Sequence, residues 1–392
     1  MEHVKKNGIF ASASQKESVY SLCDCFIRLR TMRMKRLYVW VAIATWMMCP
    51  QDAVPCTGIM LSTEDGSTIT ARTIEWAGGD LNSRYVIVPA GYAQQSWLPG
   101  GARDGCRFEA RYGYVGLAVE EDPFVVEGVN EAGLSAGLFY FPEYGEYPEY
   151  DASQNDKTLG DLQLVSWVLS GFRSVDEVKQ ALQDVRVTAI DPRSSTVHWR
   201  ITEQNGRQIV VEIVAGKLQC YDNPLGVLTN SPGFEWHQTN LNNYVNLVPG
   251  TMSDRLVGDL TLRAFGGGSG LHGIPGDMTP PSRFVRAAFF QATAPRQENG
   301  EAAVLQAFHI LNNFDIPVGI QFAEGQTVPD IPSATQWTVA TDLQNRRIYF
   351  RTMYNSNIRC IDLKAIDFKK VHFQSAMLDA VHKQPIEMVR VK

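Results

Sequence analysis

The order of strand and helix signals from Cys56 to the C-terminus constrains the fold of this chain more than any other feature. Short apolar or β-branched runs between turn residues predict strands, and one pair flanks Asn205-Gly206, a strong hairpin turn. Stretches with helical character interrupt them, one opening with a capping box from Ser174 to Glu177. The succession strands, helices, strands, helices, strands predicts an α+β domain with two sheets and helices packed outside them.

The predicted strands are 57–63, 67–72, 86–89, 114–119, 124–129, 134–141, two within 197–214, 336–340 and 347–351. The predicted helices are 159–169, one starting at Ser174, 282–293 and 301–312. The first two strands form a hairpin around Glu64-Asp65-Gly66, which puts Cys56 at the start of a strand.

Residues 1–55 are predicted to be absent from the mature protein. Met34-Lys35-Arg36 forms a positive n-region, and residues 37–48 form an apolar run as long as a signal-peptide core and too short for a membrane span. We interpret residues 1–33 as an over-extended start, with Met32 or Met34 as the initiator. Because Pro55 is a poor residue for a signal peptidase to cut after, we hypothesise an upstream cut followed by trimming to Cys56. Residues 56–392 are then one domain of an exported protein, periplasmic or extracellular.

The predicted mature chain is acidic and has few cysteines. Residues 1–55 hold 8 of the 36 lysines and arginines and 4 of the 42 acidic residues, which leaves 28 and 38. This charge argues against a nucleic-acid partner, and no apolar run beyond the leader is long enough for stable membrane insertion. The four remaining cysteines are too few and too scattered for a disulfide scaffold: Cys56, Cys106, Cys220 and Cys360.

Cys56 is a candidate N-terminal nucleophile. An α-amine titrates near about 8, so a cysteine at a new N-terminus has a base beside its thiol. The thiolate can attack a carbonyl and form a thioester that water hydrolyses, with no catalytic histidine. The competing interpretation is a structural cysteine, because a free cysteine is usually a small buried apolar residue.

Other motifs compete less well. Gly133 to Gly137 matches the nucleophile elbow of serine hydrolases, but Ser135 needs a helix directly after it, and 138–141 reads as strand. The glycine-rich run 266–276 lacks the Gly-Lys-Ser/Thr ending of a phosphate loop. No histidine pair has metal-ligand spacing, so we predict neither a metal nor a cofactor.

Five separated motifs, in order, resemble the choloylglycine hydrolase family, which comprises bile salt hydrolases and penicillin V acylases. They are Cys56-Thr57-Gly58, Ala71-Arg72 with Glu75-Trp76, residues 128–131 (Gly-Val-Asn-Glu), residues 226–232 (Gly-Val-Leu-Thr-Asn-Ser-Pro) and residues 276–284 (Gly-Asp-Met-Thr-Pro-Pro-Ser-Arg-Phe). The resemblance implies an N-terminal nucleophile hydrolase with a four-layer αββα sandwich, assembled as a homotetramer.

Carried over residue by residue, the resemblance makes Cys56 the nucleophile and base. Arg72 would lie beside the thiol and favour the thiolate. Asn230 would donate its amide to the oxyanion, and Arg283 would complete the charged cluster. Without the resemblance, each arginine is explained equally well as a salt-bridge residue.

Two positions depart from the family. Glu75 stands where the family usually has an aspartate that accepts a hydrogen bond from the α-amine. Tyr140 stands where bile salt hydrolases tend to have asparagine and penicillin V acylases tyrosine. The backbone amide of Tyr140 can serve the oxyanion with either side chain, so this departure affects the substrate and leaves the mechanism unchanged.

The substrate pocket is predicted from aromatic residues near these motifs. Trp76, Phe139 and Phe141 could line an apolar slot, although core packing explains them equally well. The loop Pro142 to Tyr150 either borders the site or is a solvated turn.

The predicted activity is hydrolysis of the linear amide that joins a bulky apolar acyl group to a small amine. A bile salt conjugated to glycine or taurine is the first substrate and penicillin V the alternative. A serine esterase that uses Ser135 and an exported binding protein with an inactive site are the remaining alternatives.

Overall fold

The computed structural model describes residues 55–191 and 195–391. Within these residues the strands are β1 Cys56–Ser62, β2 Thr68–Glu75, β3 Arg84–Val88, β4 Ala93–Gln95, β5 Arg107–Glu109, β6 Tyr114–Ala118, β7 Val125–Asn130, β8 Ser135–Tyr140, β9 Thr158–Gly160, β10 Arg186–Thr188, β11 Val197–Thr202, β12 Gln208–Val214, β13 Lys217–Asp222, β14 Arg255–Val257, β15 Leu260–Leu262, β16 Thr335–Asp342, β17 Arg347–Thr352, β18 Arg359–Asp362 and β19 Gln374–Met377. The α-helices are α1 Leu164–Gly171, α2 Val175–Ala181, α3 Phe234–Asn240, α4 Pro280–Thr293 and α5 Gly300–Leu311. The predicted leader and its cleavage site lie in residues 1–55, and residues 1–54 are outside the described part of the chain.

Five antiparallel strands form one sheet, here called sheet A, in the order β1-β2-β16-β17-β18. The first two strands of the described chain therefore share a sheet with β16, β17 and β18, which come late in the sequence. Helices α4 and α5 pack against it, and the Met60 amide on β1 donates to Gln291 Oε1 on α4 at 3.1 Å. Every residue of β2 is buried, as expected for a central strand that is covered on both faces.

Eight antiparallel strands form the second sheet, sheet B, in the order β13-β12-β11-β8-β7-β6-β3-β19. Helix α1 covers one face, where Asn130 Nδ2 donates to the Leu169 carbonyl at 2.9 Å. The other face meets sheet A so closely that a Cβ added at Gly58 would lie 2.8 Å from the Phe139 ring. The layers are helix, sheet A, sheet B, helix, and the predicted αββα sandwich is confirmed.

The predicted hairpins are present. Strands β1 and β2 pair from Cys56 opposite Ile74 to Ser62 opposite Thr68. The pair β11 and β12 surrounds Asn205-Gly206, and β16 pairs with β17. The N-cap of the predicted capping box is confirmed, because the Ser174 hydroxyl accepts from the Glu177 amide at 3.2 Å at the start of α2. The Glu177 carboxylate accepts from the Arg173 amide at 2.9 Å, one residue before the position that a capping box requires.

The helix predicted over 159–169 begins later, at Leu164. Residues 158–160 form β9 and pair in parallel with β10, and a single 3₁₀ turn follows. The Asp161 carboxylate accepts from the Leu162 amide at 2.9 Å and the Ile190 amide at 3.1 Å, which holds this segment to the residues after β10. Local side-chain to backbone bonds of this kind compete with helix formation.

Candidate active site

Cys56 is the first residue of β1 and is only 2% exposed. Its backbone nitrogen, a peptide nitrogen because Pro55 precedes it, donates to Asn230 Oδ1 at 2.8 Å. The backbone N–H of Tyr140 is directed at its sulfur. Burial raises the pKa of the Cys56 thiol, and the positive charge of Arg72 is the largest effect that opposes it.

Arg72 lies directly opposite Gly58 on the neighbouring strand and points between the sheets. Its Nε donates to the Thr73 carbonyl at 3.1 Å, and its Nη1 donates to the carbonyls of Val126, at 3.2 Å, and Leu138. Its Cζ lies 4.1 Å from the centre of the Phe139 ring. Nη2 has no hydrogen-bond partner among the described residues, so one nitrogen of a fully buried guanidinium, with its two N–H groups, remains available.

Asn230 and Arg283 connect Cys56 to helix α4. Arg283 Nη1 donates to the Cys56 carbonyl at 2.5 Å and to Thr57 Oγ1 at 2.8 Å, while Nη2 donates to Asn230 Oδ1 at 2.7 Å. Asn230 Nδ2 donates to the Tyr140 carbonyl at 2.7 Å. Because a side-chain amide nitrogen carries two hydrogens, one N–H of Asn230 is left for a ligand near the thiol.

Glu75, at the end of β2, is fully buried close to the same residues. Its Oε1 accepts from Thr335 Oγ1 at 3.4 Å, and its Oε2 has no partner among the described residues. Burial raises the pKa of Glu75 to about 8, although the nearby Arg283 and Arg72 act in the opposite direction. Glu75 is therefore a buried carboxyl, one oxygen of which has no hydrogen-bond partner among residues 55–191 and 195–391.

All six residues of the predicted catalytic set meet around the thiol. Asn230 contacts the Cys56 nitrogen directly, and the Tyr140 amide faces the sulfur. The charges of Arg72, Glu75 and Arg283 all act on the same thiol. The arrangement supplies what acyl transfer needs: a sulfur nucleophile, neutral donors for an oxyanion and fixed positive charge.

Two buried histidines support Asn230 and its neighbour Thr229, and neither histidine was predicted from the sequence. His237 Nε2 lies 2.8 Å from the Asn230 carbonyl, and burial lowers the pKa of His237 to about 4, which keeps it neutral. His198 Nε2 lies 3.1 Å from the Thr229 carbonyl, and its Nδ1 lies 3.0 Å from Glu212 Oε1. For His198, the sequence did contain a signal: the alternation Val197-His198-Trp199-Arg200 puts polar side chains at every second position of a central strand.

The predicted substrate slot requires a correction. Phe139 is fully buried beneath Arg72, and Phe141 is fully buried and stacked on His198 with ring centres 4.5 Å apart. Neither ring presents a surface that a substrate could contact, so both are core residues. Trp76 is 37% exposed and retains the proposed substrate role.

The loop 142–150 is partly anchored and partly open. The Tyr147 hydroxyl donates to Asp161 Oδ2 at 3.2 Å and accepts from the Val197 amide at 3.0 Å. Ser231, next to Asn230, donates its hydroxyl to the Pro142 carbonyl. Tyr144 is 48% exposed beside Phe141. The loop therefore begins next to Asn230 and presents two aromatic rings, those of Tyr144 and Tyr150, to solvent.

Ser135 does not form a nucleophile elbow. It is the first residue of β8, nearly fully buried, and the chain stays extended from there to Tyr140. The elbow requires a sharp turn from strand to helix that exposes the serine oxygen. The serine esterase interpretation is therefore not supported by the backbone.

In residues 55–191 and 195–391, no cluster of three or more histidine, cysteine or acidic side chains is arranged to hold a metal ion. In the same residues, none of the helices combines the length and apolar character needed to cross a membrane.

Residues 56–376 match the family model described as linear amide C-N hydrolases, choloylglycine hydrolase family. The chain is 33% identical over 316 residues to Bile salt hydrolase/transferase from Clostridium perfringens, across 79% of this chain and 92% of that protein. It is 27% identical over 342 residues to Penicillin V acylase from Pectobacterium atrosepticum, across 79% of this chain and 81% of that protein. A crystal structure of a variant of conjugated bile acid hydrolase from Clostridium perfringens is similar with a TM-score of 0.74 and 30% identity, covering 86% of this chain and all of that one.

Proposed function

The chain belongs to the choloylglycine hydrolase family of linear amide C–N hydrolases, and we propose that it releases glycine or taurine from conjugated bile salts, with Cys56 as N-terminal nucleophile. The observation that carries this proposal is the convergence on Cys56 of the Tyr140 amide, Asn230 and three buried charged groups. A protein that only binds a ligand has no need for this set.

The first chemical step uses both functional groups of the terminal cysteine. After removal of the residues before Cys56, its nitrogen is an α-amine, and Asn230 Oδ1 lies 2.8 Å from that nitrogen. The amine takes the thiol proton, and the sulfur forms a bond to the amide carbon of the substrate. Burial raises the pKa of Glu75 to about 8 in the chain that keeps Pro55, but the positive charge of the new ammonium favours the carboxylate, which then balances that charge. The family relationship supports this role, although the family usually has the shorter aspartate.

The tetrahedral intermediate carries its negative charge on the former carbonyl oxygen. The Tyr140 N–H and the second N–H of Asn230 are neutral donors in fixed positions near the sulfur. The ammonium then gives its proton to the leaving nitrogen, the C–N bond breaks and a thioester remains. Water attacks the thioester, the acid departs and the thiol regains its proton.

The substrate ranking is tested by measuring kcat/KM of the purified enzyme for glycocholate, taurocholate and penicillin V. We expect the two bile salts to react faster. A much faster reaction with penicillin V would overturn the ranking and leave the mechanism intact. Cys56→Ala is the control: we expect retained substrate binding without turnover, whereas unchanged turnover would refute the cysteine mechanism.

Penicillin V is the second candidate because of Tyr140. A tyrosine at this position is typical of the penicillin V acylases in the family, and its side chain is half-buried. The reaction would release phenoxyacetate and the β-lactam nucleus through the same thioester.

Export and removal of residues 1–55 are part of the proposal, because the N-terminal mechanism needs a free amine on Cys56. The family match starts at Cys56, which supports this boundary. Expression with the full leader, fractionation of the cells and determination of the N-terminal residue test both points. A mature chain that keeps Pro55 would contradict the proposed processing.

We also propose that the chain forms a homotetramer, in which the hairpin β14-β15 is buried between copies. All six strand residues of this hairpin are exposed, and Leu256 and Leu260 are apolar. Apolar side chains grouped on a projecting hairpin are typical of an interface. Light scattering should give a lower molar mass for Leu256→Asp/Leu260→Asp, whereas Val381→Asp, at an exposed site near the C-terminus, should keep the wild-type mass. An unchanged mass for the double variant would contradict this interface.

A further inference from the structure

A row of three buried charges lies between the sheets next to the proposed nucleophile. Arg72 belongs to sheet A, and Glu127 on β7 and Arg200 on β11 belong to sheet B; all three are almost completely inaccessible. Arg200 Nη2 donates to Glu127 Oε1 at 2.9 Å. Arg72 Nη1 lies 3.8 Å from Glu127 Oε2, beyond hydrogen-bond distance. Glu127 is therefore hydrogen-bonded to Arg200 through Oε1, whereas its Oε2 forms only a longer ion pair with Arg72.

Each arginine also bonds the backbone of the opposite sheet. Arg72 donates to the carbonyls of Val126 and Leu138 in sheet B. Arg200 donates through Nη1 to the carbonyls of Ala71, at 3.2 Å, and Ile59, at 3.4 Å, in sheet A. These crossed bonds fix both guanidinium groups relative to β1 and β2, the strands that carry Cys56 and Arg72.

Two glycines make room for this row. A Cβ added at Gly137, which lies between Glu127 and Arg200 in sheet B, would be 2.2 Å from Glu127 Oε2. A Cβ added at Gly58, which lies beside Arg72 in sheet A, would be 2.9 Å from Arg200 Nη1. Both glycines have ordinary negative φ values, so close packing explains them better than backbone conformation does.

We propose that Arg200 is a positioning residue for the nucleophile: by holding Glu127, it leaves the guanidinium of Arg72 free to face the thiol of Cys56. Arg72 has one nitrogen without a partner, Nη2, and its positive charge acts on Cys56 more strongly than that of Arg283. A carboxylate that formed a two-oxygen contact with Arg72 would neutralise that charge and draw the guanidinium away. Arg200 prevents this two-oxygen contact by holding Oε1, and Oε2, which has no hydrogen-bond partner among the described residues, stays 3.8 Å from Arg72 Nη1.

This inference rests on the proposed role of Cys56 as nucleophile, and its test does not require the substrate to be known. The processed enzyme, with Cys106, Cys220 and Cys360 replaced by serine, is treated with iodoacetamide between pH 5 and 10. Intact mass gives the rate of alkylation at Cys56, which follows the thiolate fraction. The denaturation midpoint of each variant is measured in parallel.

Arg200→Met should slow alkylation at pH 7 about tenfold, which corresponds to a thiol pKa raised by about one unit. The reason is that Glu127, once Arg200 is removed, forms a hydrogen-bonded ion pair with Arg72 and weakens the effect of the Arg72 charge on the thiol. Arg200→Met/Glu127→Gln removes the competing carboxylate and should restore the rate to within about threefold of wild type. Glu127→Gln alone should react at least as fast as wild type. A residue that only stabilises the fold would not give this restoration.

Arg207→Met is the matched control, because Arg207 forms an exposed ion pair with Asp176 at 2.7 Å and should leave the alkylation rate unchanged. The inference is overturned if Arg200→Met reacts as fast as wild type, or if the double variant is as slow as the single one. If Arg200→Met does not fold, the alkylation rate of Glu127→Gln is the test. Slower alkylation of Cys56 in Glu127→Gln than in wild type would also overturn the inference. Absence of alkylation at Cys56 in the wild type would instead refute the proposed function.

Discussion

Asn230 connects three parts of the active site through one side chain. Its Oδ1 accepts from the Cys56 nitrogen and from Arg283, and its Nδ2 donates to the Tyr140 carbonyl. Its own carbonyl is held by His237. These contacts leave the amide little freedom, which is the condition for a donor that must already be in place when the oxyanion forms.

Replacement of Asn230 by Asp or Ala should therefore lower kcat by about 10²–10³, with a smaller change in KM, since the lost donor acts mainly on the transition state. Steady-state kinetics on whichever amide the enzyme hydrolyses best provide the measurement. Asn242→Asp makes the same chemical change at an exposed position and should leave kcat as in wild type. A kcat within threefold of wild type for both Asn230 variants would rule out an oxyanion role.

Glu75 gives a prediction about pH. In the chain that keeps Pro55, burial raises the pKa of Glu75 from its ordinary value of 4.5 to about 8. Between these values the unfolded chain loses a proton that the folded chain keeps, so the free energy of unfolding falls as the pH rises from about 4.5 to 8. Glu75→Gln removes this titration, and its stability should depend less on pH.

The measurement is the denaturant midpoint at several pH values for Cys56→Ala and Cys56→Ala/Glu75→Gln, with Pro55 verified by intact mass. Asp161, whose pKa burial raises to about 6, titrates in both proteins and cancels in the difference. Parallel pH profiles for the two proteins would show that Glu75 is ionised in the fold.

The sequence predicted the six residues around the thiol and missed those that hold them. Cys56, Arg72, Asn230 and Arg283 stand in motifs, so their sequence context identified them. Arg200 and His198 lie on a strand whose charged and polar side chains turn into the interior, where hydrophobic patterning would place apolar residues. Phe139 and Phe141 were assigned to the substrate slot but are core residues. Their nearness along the chain to Tyr140 does not show which face of a strand is exposed to solvent.

At the level of elements, hairpins were predicted better than helix starts and sheet edges. Turn residues such as Asn205-Gly206 fix a hairpin locally, so no tertiary information was needed. The strands β13, β18 and β19 were missed because they lie at sheet edges and are partly or wholly exposed, which removes the apolar alternation.

The close contact between the sheets predicts different effects for two glycine-to-alanine changes. Gly137→Ala places a methyl group against Glu127 Oε2 at the centre of sheet B and should destabilise the fold by about 1–3 kcal/mol. Gly171→Ala, at the end of α1, meets nothing within 4 Å and should be neutral or slightly stabilising. Urea denaturation of both variants makes the comparison, and equal midpoints would contradict the packing described between the sheets.

For the whole molecule, the sandwich explains why the active site can be assembled from distant parts of the chain. Strand β1 carries the proposed nucleophile, β2 carries Arg72 and Glu75, and β8 ends at the Tyr140 amide. Helix α4 supplies Arg283, and Asn230 lies between β13 and α3. Because both sheets and a helix outside them contribute, the site forms only when the layers pack against each other.

The most direct test of the account is the intact mass of the processed, active protein before and after thiol alkylation, with Cys106, Cys220 and Cys360 replaced by serine. We predict a chain that begins at Cys56 and takes up one alkyl group at that residue, with amide hydrolysis lost in proportion to the modification. An active chain that begins elsewhere, or full activity after Cys56 is completely alkylated, would contradict the N-terminal cysteine mechanism.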